Sequence, residues 1–114
     1  MIPPRLLKQL ADNLTSRTKA GQISWARTSQ DVQRYIYQLP KAAVVVHYSP
    51  SRGASDTIEL AVLDNGGMVI GSLVAQEDEP SYDVLADLVF EIQRATDPGS
   101  HRFVTDEILS LLKS

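Results

Sequence analysis

The chain contains no cysteine. Disulfides and thiolate metal sites are therefore excluded. Histidine is scarce as well: His47 lies in the apolar run AVVVHYS and His101 in SHRF, and their spacing offers no shared metal site. No apolar run approaches the ~20 residues of a membrane span. The opening stretch MIPPRLLKQL lacks the continuous apolar core of a secretory signal. These absences predict a soluble, cytoplasmic protein without a membrane partner. The usual catalytic signatures are missing too. SPSRGAS at 49–55 has hydroxyls, an arginine and a glycine, but not the lysine and spacing of a phosphate-binding loop. No serine sits in a nucleophile elbow. Glu77-Asp78-Glu79 lacks the alternating ligands of a calcium loop. No catalytic residue, metal or cofactor is assigned on these grounds, and a non-enzyme is expected.

What is present fits one domain over residues 1–114. Its strongest local signal is TIELAVLDNGGMVIGSLV, residues 57–74. Asn65-Gly66 predicts a type I′ hairpin turn, because both residues tolerate positive φ. Counting outward pairs Leu63 with Met68, Val62 with Val69, Leu60 with Gly71 and Ile58 with Leu73. Alternation along each strand then puts Ile58, Leu60, Val62, Val69 and Leu73 on a core face. Leu63, Met68 and Ile70 remain as an apolar group on the opposite face near the turn. That group is the candidate interaction surface, for a protein partner or for a second copy in a homodimer.

The flanking segments read as follows. Leu6, Leu7, Leu10, Ala11 and Leu14 recur at helical spacing after Pro3-Pro4, which predicts a helix over about 4–19 with Gly21 as its stop. The polar stretch KAGQISWARTSQD holds Trp25, the single tryptophan. It is expected as a satellite of the core with a polar partner for its N–H; a partner-anchoring role is the alternative. Residues 32–39 alternate, with Tyr35, Tyr37 and Leu39 on one face, and 42–48 form a β-branched run. Ser81 is expected to cap a helix over about 81–95 with the stripe Tyr82, Leu85, Ala86, Val89 and Ile92. Asp83, Asp87 and Glu91 recur every fourth residue, which reads as a solvent-facing acidic stripe. Thr105 opens a short closing helix with Ile108, Leu109, Leu111 and Leu112. The expected fold is α+β. An N-terminal helix is followed by a four-stranded antiparallel meander, then one long and one short C-terminal helix, packed on one face of the sheet.

Formal net charge is −3, but the charge is divided along the chain. Residues 1–52 hold eight Lys/Arg and two Asp/Glu, whereas residues 53–114 hold three and twelve. Such a split marks either two halves that neutralise each other in one fold or a basic surface for nucleic acid. Arg5, Lys8, Arg17, Lys19, Arg27 and Arg34 would carry the second reading, but no nucleic-acid motif frames them and it is disfavoured.

The stretch Thr18, Lys19, Gly21, Ile23, Trp25, followed downstream by Tyr82 and Leu85, resembles a group of small uncharacterised bacterial proteins often found near mobile elements or conflict loci. In these a leading helix ends in T-K-x-G-x-I-x-W, and a strand meander and a tyrosine-leucine helix follow. The resemblance spans most of the chain and implies this α+β arrangement in a bacterial cell. It brings no catalytic residues with it. The function expected is a non-catalytic protein–protein interaction module. The alternatives are a nucleic-acid-associated protein using the basic N-terminal half, and a small ligand-binding domain or enzyme around Trp25, Tyr35 and His47.

Overall fold

A computed structural model describes residues 1–28, 33–50 and 55–96. Among these the element order is α1 (Pro4–Lys19), β1 (Ala26–Arg27), β2 (Gln33–Gln38), β3 (Ala42–Ser49), β4 (Thr57–Asp64), β5 (Val69–Gln76) and α2 (Pro80–Thr96). The strands form one antiparallel meander in the order β1-β2-β3-β4-β5. The α+β class, the leading helix and the antiparallel sheet agree with the sequence. The sheet has five strands rather than four, because Ala26–Arg27, in the stretch read as a connector, pairs with Tyr35 and Ile36. The short helix expected over 105–112, and His101, lie outside the described residues.

Local chemistry explains the helix ends. Proline opens α1, and Gly21 (φ 75°) closes it in the left-handed conformation. There the Gly21 N–H donates to the Thr18 carbonyl and the Gln22 N–H to the Arg17 carbonyl, the two bonds of a Schellman cap. α2 begins at Pro80, one residue before the expected cap Ser81. Proline suits that first position, since its missing N–H has no acceptor within the helix.

Both helices pack on the same face of the sheet. Leu7, Ala11 and Leu14 from α1 and Leu85, Leu88, Val89 and Ile92 from α2 join Tyr35, Val44, Val46, Ile58, Leu60, Val62 and Ala75 in one buried core. Fully burying a side chain such as Leu60 or Leu88 stabilises the fold by about 1.5–3 kcal/mol. Trp25 and Ile23 are also buried there. The basic and acidic halves of the chain interleave in this packing, as α1 lies against α2 and β3 against β4.

The central hairpin departs from its expected register. Neither Asn65 nor Gly66 has positive φ; Gly67 does, at 84°. The Gly67 N–H donates to the Asp64 carbonyl, and the Asp64 N–H to the Met68 carbonyl. The Asp64 side chain accepts from the N–H groups of Gly66 and Met68, each at 2.9 Å. This is a three-residue loop, a type I turn followed by a left-handed glycine. Asp64 selects it by offering its carboxylate to the turn amides. A second irregularity follows: Leu63 pairs with Val69 but Val62 pairs with Gly71, so Ile70 is an extra residue. Val69 therefore leaves the core face. It is exposed on the opposite side from Val62, contrary to the pairing expected from an Asn-Gly turn. Leu60 meets Leu73 and Ile58 meets Ala75.

Candidate functional site

Among the described residues no helix packs on the other, outer face of the sheet. Reading across the strands, Arg34, His47, Glu59 and Val74 form one row, and Ile36, Val45, Ala61 and Ser72 the next. Gln38, Ala43, Leu63 and Val69 form a third. An antiparallel sheet with one solvated face normally alternates apolar and polar residues cleanly. Here β3 is apolar on both faces through Ala43, Val44, Val45 and Val46, all of them buried. Ala43, Val45 and Ala61 are small and lie low. Around them the taller Arg34, His47, Glu59, Leu63 and Val69 stand up, enclosing with Val45, Ala61 and Ser72 a depression of about 270 Å³. Val69 and Val74, at 51% and 49% exposure, are the most open apolar groups of this face.

The four residues of the expected interaction surface do not meet. Leu63 is half-buried on the outer face. Met68 projects from the turn at 70% exposure. Ile70, displaced by the bulge, is half-buried and packs against the core. Trp25 lies in the core, where its Nε1–H donates to Thr18 Oγ1 at 2.9 Å and its ring tilts against Tyr37 at 5.7 Å. Nor do Trp25, Tyr35 and His47 form one site, because His47 is on the face opposite to the core that holds the other two. The row through Ile36, Val45 and Ala61 is not visible to a pattern that assigns one core face to each strand. The run AAVVVHYS carries the signal for it, since consecutive apolar residues in a strand place apolar side chains on both faces.

A second, smaller depression of about 160 Å³ lies between β3, β4 and α2, lined by Tyr48, Ile58, Tyr82, Ala86, Val89, Phe90 and Gln93. At its edge the Tyr48 hydroxyl donates to Asp56 Oδ2 at 2.7 Å, and the Asp56 N–H donates to Glu77 Oε1 at 3.0 Å. Donating to a carboxylate holds the proton on Tyr48, and burial adds to this, so its pKa is pushed up to about 12. Tyr82 is raised as well, by burial first and then by Asp56, Glu77 and Asp83. Of the acidic row on α2, Asp83 and Asp87 are exposed but Glu91 is buried, with Arg94 Nη1 at 3.7 Å. Residues four apart are offset by about 40° around a helix, so the row drifts by about 80° over two steps and carries Glu91 out of solvent.

Among the described residues no three His, Asp or Glu side chains are grouped to hold a metal ion, and no helix is long and apolar enough to cross a membrane. No protein-family model, curated protein or solved structure matches the chain.

Proposed function

We propose that the chain is a non-catalytic protein-binding module whose contact surface is the outer face of the sheet, opposite α1 and α2. The observation that carries this reading is the composition of that face. Ile36, Leu63, Val69 and Val74 are its accessible apolar groups, set around the buried Ala43, Val45 and Ala61 beside a short polar row, and no described helix covers it. An apolar surface of this kind, rimmed by polar groups, suits a protein contact.

The sheet edges support the same choice. An open edge strand invites a further strand from a partner. Here the Ile2 N–H donates to the Ile70 carbonyl on β5 at 2.8 Å. At the other end of β5, the Gln76 N–H donates to Glu79 Oε1 and the Gln76 carbonyl accepts from the Glu79 N–H. At the opposite side of the sheet the terminal strand, β1, has only two residues. One edge strand is short and the other is tied down at both ends, which disfavours an added strand relative to the face. The basic residues favour it over a nucleic-acid surface, which would need them together. Arg5, Arg17 and Lys19 are exposed on α1, whereas Arg34 is exposed on the outer face in the other layer.

A photo-crosslinking residue at Val74 or Leu63, compared with one at the helix-side positions Asp12 or Asp87, tests the proposal in host cells. Protein adducts are expected from the first pair and not the second. Equal labelling from both, or none from Val74 and Leu63, overturns it.

A further inference from the structure

We propose that the occupant of the outer face is a second copy of this chain, in a two-fold dimer whose axis runs along β3. This rests on the reading of that face as a binding surface. Consider two sheets facing each other with the axis between them and parallel to β3. The rotation carries β2 of one copy over β4 of the other and leaves each transverse row in place. In the first row Arg34 then faces Glu59 of the second copy, and the pair occurs twice. In the next row the large Ile36 faces the small Ala61 of the second copy, again twice. Val45 and His47 each meet their own counterparts on the axis. Opposite charges and opposite sizes thus match in adjacent rows under one symmetry operation, as a self-complementary interface requires.

Within one chain these groups are not matched. Arg34 and Glu59 are separated by β3, because both lie beside His47. Two strand spacings put their backbones about 10 Å apart. Arg34 is exposed and has no carboxylate partner among the described residues. Glu59 is half-buried, with Ser72 Oγ at 3.4 Å as its side-chain donor. An axis along β4 fits worse, since it would set Glu59 against Glu59 of the second copy and leave Arg34 unmatched.

The extent of the face sets the strength. About this axis β2, β3 and β4 of one copy overlie β4, β3 and β2 of the other, while β5 overlies only the two-residue β1. Three strands about 4.8 Å apart and about 20–27 Å long cover roughly 350 Å² per copy. Roughly 700 Å² in total lies below the standard size of a specific interface, so the dimer is a weak one.

Sedimentation equilibrium of the full chain across a range of concentrations tests this, with the variants Arg34→Glu and Glu59→Arg. The wild type is expected to self-associate. Each variant alone places like charges opposite each other twice, and is expected to weaken dimerisation at least about tenfold. An equimolar mixture of the two variants is expected to recover wild-type association within a few-fold. The mixed dimer pairs a new carboxylate with a new guanidinium at one site and keeps the native pair at the other. The double variant in one chain should recover likewise, and circular dichroism checks that each variant is folded. A wild type that stays monomeric, single variants that associate like wild type, or a mixture without recovery overturns the proposal. The crosslinking at Val74 separates this from the broader reading. Face-specific adducts with other proteins and none with a second copy would remove self-association alone; the loss of face specificity would remove both.

Discussion

Replacing Thr18 with valine isolates one hydrogen bond that ties the Trp25 region to α1. Thr18 is 3% exposed. Its hydroxyl accepts from Trp25 Nε1 at 2.9 Å and donates to the Leu14 carbonyl at 2.6 Å. Valine has nearly the same shape and a similar helix propensity, so neither a cavity nor a helix penalty accompanies the change. The Leu14 carbonyl keeps its helical acceptor role toward the backbone N–H of residue 18. What is lost is the acceptor for a buried indole N–H. Leaving such a donor unsatisfied costs about 1–3 kcal/mol. For a domain near this size that corresponds to a fall in Tm of roughly 4–15 °C.

Urea unfolding followed by circular dichroism and by emission of the single tryptophan measures the loss. The origin of the loss is decided by a double-mutant cycle with Trp25→Phe, which removes the N–H and keeps an aromatic ring. In the Trp25→Phe background, Thr18→Val should cost less than about 0.5 kcal/mol, because the orphaned donor no longer exists. Equal costs in the two backgrounds would show that the hydrogen bond is not the source of the stability. A Thr18→Val chain as stable as wild type would show the same.

The remaining predictions concern the turn, the sheet edge and alkaline pH. Gly67→Ala should destabilise the hairpin by about 1–2 kcal/mol, because an L-residue resists the left-handed region, whereas Gly66→Ala should be nearly neutral; the reverse order in urea titrations would restore the Asn-Gly turn. Gly71→Ala would put a Cβ 2.9 Å from Ile2 Cβ, so it should cost about 1–3 kcal/mol by overpacking and speed amide exchange at Ile2. Tyr48 has its folded pKa raised from 10.0 to about 12. The stability it contributes is thus fully present below pH 10 and is lost as pH rises from 10 toward 12. Phenolate absorbance should show a late-titrating component that moves down in Asp56→Asn, and an unchanged profile in that variant would refute the assignment.

The sequence was most legible where one periodicity and one end signal agreed. The stripe from Leu7 to Leu14 with Gly21 behind it defines α1, and the stripe from Leu85 to Ile92 defines most of α2. The core face of β4 was equally clear, since Ile58, Leu60 and Val62 alternate with lesser apolar or polar neighbours. β1 was not, because two residues carry no period. Their place follows from tertiary pairing with Tyr35 and Ile36 and from the anchoring of Trp25 beside them. Glu91 departs from the solvent-facing row because four-residue spacing is not a straight line on a helix that turns about 100° per residue.

The hairpin joins the fold to the candidate site. An Asn-Gly turn with simple alternation would have directed Val69 inward beside Val62, leaving Met68 and Ile70 as the outer apolar pair. The Asp64 carboxylate favours the longer loop closed by Gly67, and Ile70 then enters as an extra residue. Each event shifts the pairing by one. Together they restore Leu73 and Ala75 to the core but leave Val69, which lies between the two shifts, facing outward. In a strand a one-residue slip exchanges faces, and two slips confine that exchange to the residue between them. The core thus keeps its packing while the outer face gains an apolar side chain beside Leu63. Removing the irregularity would cost the face its Val69 without emptying the core, which separates the residues that hold this sheet together from those left free to bind.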